Sequence, residues 1–188
     1  MKKVSDIHAI KIIFFITACY VGLWAIRIPT IKDQLQTDYV GVGYIMLSFA
    51  IGSIIAMIFA NALILKTSTK SILTYTLIAE GCLWLPVPFI QELWLFMIFS
   101  FIFGMSYGAF EIACNVYASN LEVREKKSMM SGFHGFWSLG VLFGSLITSL
   151  LLEWNYSFIF NILLYVIILL PLSLYFVLCL ESEVETKS

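Results

Sequence analysis

The sequence predicts an all-α membrane protein of six transmembrane helices, organised as two inverted groups of three in a single bundle over residues 1–188. Three observations carry that expectation. Of 188 residues, 61% are hydrophobic and only 12% charged, where a soluble domain carries roughly a quarter charged residues. The charges cluster between long apolar runs, six of which are long enough to cross a bilayer whose core takes about 20 helical residues. A weak internal repeat relates the first half of the chain to the second.

The runs place helices at about 10–34, 40–65, 71–90, 93–120, 129–152 and 157–180. Helices are preferred to barrel strands because the runs lack period-2 alternation and are far longer than about 10 residues. The first run begins near Lys2 and Lys3 and contains Ile16-Thr17-Ala18-Cys19, a spacing that fits a lipoprotein cleavage box. A hydrophilic region should follow such a box. Here Tyr20 to Ile28 stays apolar, so the expectation is an uncleaved first span. Cys19, Cys82, Cys114 and Cys179 all fall in spans without metal-ligand spacing and read as small packing residues.

Orientation follows from Lys and Arg in the short connections. With a cytoplasmic N-terminus the inside pieces carry Lys2, Lys3, Lys11, Lys66, Lys70, Arg124, Lys126, Lys127 and Lys187, and the outside pieces only Arg27 and Lys32. Both termini are therefore expected in the cytoplasm, with the acidic tail of Glu181, Glu183 and Glu185 as a solvated end. The expected location is the inner membrane, with lipid as the surrounding partner. No basic face suited to nucleic acid is present, and neither cofactor nor metal is implied.

The repeat aligns Gly43-Tyr44, Leu47, Gly52, Ser53 and Ile55 on the second helix with Gly135-Phe136, Leu139, Gly144, Ser145 and Ile147 on the fifth, at a constant offset of 92. Gly22 and Leu35 align with Gly108 and Leu121 at an offset of 86. Three helices per repeat is odd, so the second copy must enter the membrane from the opposite side. The pairs Gly104/Gly108 and Gly140/Gly144 have the spacing that lets helices approach closely.

The segments Gly22-Leu23-Trp24-Ala25-Ile26-Arg27-Ile28-Pro29, Glu111-Ile112-Ala113-Cys114-Asn115 and Ser131-Gly132-Phe133-His134-Gly135-Phe136-Trp137-Ser138-Leu139-Gly140 together resemble the N-terminal half of the major facilitator superfamily. Within it they resemble the bacterial branch around the fucose permease. The loop between helices 2 and 3 departs from the family's Gly-x-x-x-Asp-Arg-x-Gly-Arg-Arg pattern, reading Asn61 to Lys70 without either glycine or the Asp. The resemblance implies a secondary transporter of a small solute, one bundle of a two-bundle fold. The second six-helix half would be a second copy or a separate chain. A helical membrane protein with no transport of its own, a truncated remnant or an assembly partner, is the alternative.

An ionisable side chain inside a span is costly, so each one needs a reason. Glu111 and Asn115 stand one turn apart on one helical face. The resemblance carries the helix 4 acid to a substrate or proton role, because burial disfavours the charged carboxylate and so permits proton exchange. Arg27 either reaches the surface to meet Asp33 or points into the cavity as a substrate contact. Glu80, on a helix the resemblance implies is peripheral, is expected to make a packing hydrogen bond or a partner contact. His134 stands near the basic cluster and is expected either to contact Glu122 in a conformational latch or to sit as an interfacial histidine. Residues 104–108 match Gly-x-Ser-x-Gly, which with His134 raises an intramembrane serine protease. That motif works on a strained strand-to-helix turn, not inside an apolar helix.

Overall fold

A computed structural model describes residues 5–181, the side chain of Asn61 excepted. Lys2, Lys3, Lys187, Glu183 and Glu185, which enter the charge reading, lie outside the described residues. The helices are α1 (Asp6–Gln34), α2 (Tyr39–Lys66), α3 (Thr69–Trp84), α4 (Leu93–Glu125), α5 (Met130–Glu153) and α6 (Phe158–Cys179). Six spans long and apolar enough to cross a membrane are present among the described residues. The protein is an integral membrane protein.

The connections are short because each helix stops on a local signal. Asp38, Ser68 and Ser157 cap α2, α3 and α6, their side chains accepting from the backbone N–H groups of Gly41, Ser71 and Phe160. Gln36, Lys126 and Asn155 adopt positive φ at 48°, 52° and 59°, turning the chain just past α1, α4 and α5. Two spans differ from their sequence bounds. Helix α3 ends at Trp84, and a short 3-10 turn, Val87–Phe89, follows, because Pro86 has no N–H to continue the helical ladder. Helix α4 runs five residues past the expected 120, through a polar last turn that the apolar pattern misses.

Packing is exchanged between the two triplets. Helix α1 packs chiefly on α5 and α4 on α2; α1 also meets α6, as α4 meets α3, and α3 lies against α6. Exchanging α1 with α4, α2 with α5 and α3 with α6 maps this pattern onto itself, as an inverted 3+3 repeat requires. The glycines show why the sequence alignment has physical content. A Cβ at Gly52 would strike the backbone of Phe101 on α4, and one at Gly144 the backbone of Cys19 on α1. Gly22 lies against the backbone of Val141 and Ser145, and its aligned partner Gly108 against Ser53, itself aligned with Ser145. Gly104 and Gly140 meet Phe49 and Phe15 in the same manner. Only glycine lets these backbones touch, so the small-residue spacing is a packing device.

Two buried clusters fill the bundle. One, near the chain ends, gathers Ile10, Ile13, Leu73, Tyr117 and Phe133; the other gathers Tyr20, Leu23, Trp84, Phe96 and Ile162. Large apolar side chains such as Ile58, Phe59, Leu142, Ile167 and Leu178 are exposed on the outside, which suits a surface facing lipid or another helical bundle.

Candidate functional site

Helix α4 sets the first site. Tyr107, Phe110, Glu111, Cys114 and Asn115 recur at three- and four-residue spacing and therefore share one face. Opposite them stand Phe14 of α1 and His134 and Trp137 of the first turns of α5. Together these eight residues line a half-open cavity of about 150 Å³. Glu111 and Asn115 are half-buried and His134 is exposed. Phe14 supports the imidazole edge-on, with ring centroids 5.7 Å apart. His134 interacts electrostatically with Glu111, and no hydrogen bond from a described residue reaches Glu111 or Asn115. A carboxyl, an amide and an imidazole thus converge with free hydrogen-bonding capacity, suited to a small polar solute and to proton exchange.

Arg27 is not brought to this cavity. It is buried, its Nε donates to Asn161 Oδ1 at 3.0 Å, its Nη2 donates to the Tyr156 carbonyl at 3.3 Å, and the guanidinium lies 5.4 Å from the centre of the Phe158 ring. Arg27 thus ties α1 to α6 and to the α5–α6 turn, and it does not line the Glu111 cavity. The surface pair with Asp33 is not formed either, since Asp33 pairs with Lys32 at 2.8 Å. A planar fork of donors meets an amide oxygen and a carbonyl inside the bundle, which removes any reason to reach the surface.

Among the described residues no hydrogen bond or ion pair joins Glu122 to His134. Glu122 accepts from the backbone N–H groups of Met129 and Met130 and from Ser128 Oγ. It therefore satisfies the open N-terminus of α5, where amides lack helical partners and a negative charge is favoured. Glu122 and His134 belong to different structures: one holds the loop, the other faces Glu111.

Of the two expectations for Glu80, the packing hydrogen bond is not formed among the described residues, although the residue is buried on α3. It borders a second cavity of about 200 Å³, between α1, α2, α3 and α4, whose lining includes Tyr20, Trp24, Trp84, Phe99, Phe103 and Tyr107. Tyr107 borders both cavities. Residues 104–108 run through uninterrupted α4, with Gly104 and Gly108 packed on α2, so no strained turn presents Ser106. Among the described residues no group of three or more acidic, His or Cys side chains is placed to hold a metal.

Sequence reasoning missed a polar brace at the end bearing both termini. Asp6, buried at the start of α1, binds Arg124 Nη2 at 2.9 Å and accepts from the Glu181 backbone N–H at 3.2 Å. Arg124 also reaches Glu181 Oε2 at 3.3 Å, and Lys70 Nζ donates to the carbonyls of Leu178 and Leu180 at the end of α6. The available signal was an acid in the first turn of a span that should begin in apolar residues.

Residues 12–188 match the Major Facilitator Superfamily. An uncharacterized MFS-type transporter of Yersinia pestis is 28% identical over 145 residues, covering 76% of this chain and 37% of that protein. An uncharacterized transporter of Sinorhizobium fredii is 26% identical over 141 residues, covering 70% and 35%. The chain thus spans little more than a third of the length of these relatives. No solved structure matches it.

Proposed function

Because the chain belongs to the Major Facilitator Superfamily, we propose that it forms one six-helix half of a secondary transporter that moves a small solute by alternating access. Proton coupling is assigned to Glu111, with Asn115 and His134 as its neighbours at the substrate. The carrying observation is their convergence in the half-open cavity between α1, α4 and α5, with hydrogen-bonding capacity not used inside the bundle. Arg27 has no place in this reading, since its Nε and Nη2 donate to Asn161 and Tyr156 and it does not line the cavity.

One bundle leaves the cavity open on one side. A second six-helix bundle closes it, supplied by a further segment, a second copy or another chain. The bundle lies in the inner membrane with its terminal end in the cytoplasm. Supporting this are the Lys and Arg bias and the brace of Asp6, Arg124 and Glu181, which gathers both chain ends at one end of the bundle. The fucose-permease-like branch is supported by the quoted segments alone, and no sugar is assigned.

Glu111→Gln tests the coupling. It keeps the shape of the side chain and removes its ionisation, so proton-driven accumulation in the assembled transporter should be lost while solute exchange continues. Accumulation against a gradient equal to that of the parent protein rejects the role of Glu111.

A further inference from the structure

The second cavity contains an unmatched pair of polar groups. Glu80 and Trp84 stand one turn apart on α3, both buried. No described residue hydrogen-bonds to the Glu80 carboxyl, and the Trp84 Nε1–H has no hydrogen-bond partner. Buried polar groups are normally paired, and an unmatched carboxyl away from water is among the least favourable of them. Both residues line the same space of about 200 Å³.

The rest of the lining is aromatic and tightly interlocked. Trp84 packs on Tyr20 with centroids 5.9 Å apart, on Trp24 at 6.1 Å and on Phe103 at 5.6 Å. Among the described residues no Lys, Arg or His lines the cavity. An anion would face Glu80 without a compensating charge. A neutral hydrocarbon would leave both polar groups unmatched. A sugar would bring several hydroxyls to a wall that offers few polar partners. A compact organic cation meets all the conditions: its charge pairs with the carboxylate, and its alkyl shell lies against rings whose π systems attract cations.

We propose that the cavity between α1, α2, α3 and α4 is a binding site for an organic ammonium ion, with Glu80 as counter-charge and Tyr20, Trp24, Trp84 and Phe103 as its aromatic wall. Trp84 Nε1–H is free to donate to a hydroxyl or ether oxygen of the same ligand. This cavity and the Glu111 cavity share Tyr107 in their linings, and a narrow gap bordered by Glu80, Tyr107 and Phe110 lies between them. Cation binding is read at Glu80 and accumulation at Glu111, so failure of one reading is distinguishable from failure of the other.

The test uses the full chain in lipid nanodiscs with radiolabelled benzyltrimethylammonium as probe. Saturable binding of one ion per chain is expected, displaced by tetramethylammonium and not by benzenesulfonate. Glu80→Gln should weaken it by at least about tenfold, since the counter-charge is lost. The exposed Asp33→Asn should bind as the parent does. Helix content by circular dichroism checks that the variant is folded; if it is not, a photoactivatable aryl-azide analogue of the probe decides on the unaltered chain. Labelling of peptides bearing Tyr20, Trp24 or Phe103 supports the site. Labelling confined to other peptides, absence of saturable binding, equal displacement by benzenesulfonate, or a folded Glu80→Gln that binds within about twofold of the parent overturns the proposal.

Discussion

Substituting alanine at Gly52 and Gly144 tests the inverted repeat through its packing. A Cβ at Gly52 would lie 3.0 Å from the Phe101 carbonyl carbon, and one at Gly144 would lie 2.7 Å from Cys19 Cα, with the carbonyl oxygens of Phe101 and Cys19 closer still. Favourable carbon–carbon contact lies at about 3.5–4.0 Å, so relieving these carbon contacts alone asks the helices to separate by roughly 0.5–1.3 Å. The obstacle is backbone, which cannot rotate aside. Overpacking costs about 1–3 kcal/mol, and the better helix propensity of alanine offsets up to about 1 kcal/mol. A net loss of about 1–2 kcal/mol is expected at each site. Gly43 and Gly135 are the controls, because a Cβ there meets nothing within 4 Å; alanine should be neutral or stabilise by up to about 1 kcal/mol. The assay is reversible unfolding by titration of dodecyl sulfate into mixed micelles, followed by tryptophan fluorescence. If Gly52→Ala and Gly144→Ala unfold with the controls, or if only one of the two is destabilised, the equivalence of the α2–α4 and α5–α1 contacts is wrong.

Three further outcomes follow from the same geometry. Arg27→Met should destabilise the bundle by about 2–4 kcal/mol in that titration, because the Asn161 oxygen and the Tyr156 carbonyl lose their donor inside the protein; it should leave solute affinity in the assembled transporter unchanged. Glu122→Ala removes the acceptor for the first amides of α5 and should lower the midpoint of the same titration. Reporter fusions at the C-terminus and in the loop holding Lys126 and Lys127 should both report the cytoplasm, and a periplasmic signal from either reverses the orientation.

The apolar runs made the spans legible because bilayer thickness sets a length that the sequence must meet. Glycine positions made the repeat legible for an equally physical reason: close backbone contact admits no other residue, so Gly22, Gly52, Gly108 and Gly144 stand where helices touch. Side-chain partners were less legible. Arg27 and Asn161 are 134 residues apart, and nothing local to either shows that α6 carries an amide to that depth. Glu122 lies just past the apolar run of α4, and its partners are backbone amides seven and eight residues further on, across the loop to α5. Glu111 and Asn115 share a face by spacing alone, whereas the arrival of His134 beside them depends on α5 packing against α1.

The repeat that governs packing does not govern chemistry. At the offset of 86, Glu111 corresponds to Ala25 and Asn115 to Pro29; at the offset of 92, His134 corresponds to Val42 and Trp137 to Ile45. Every polar member of the Glu111 cavity therefore has an apolar counterpart, while Gly22, Gly52, Gly108 and Gly144 have glycine counterparts. Gly104 and Gly140 do not, aligning with Ala18 and Ser48 at the same offsets, so the repeat holds most strictly at those four close contacts. A side chain facing a cavity has no such duty and is free to differ. The coupling proposed for Glu111 therefore rests on a helix whose glycine contact is repeated in the other triplet but whose polar face is not.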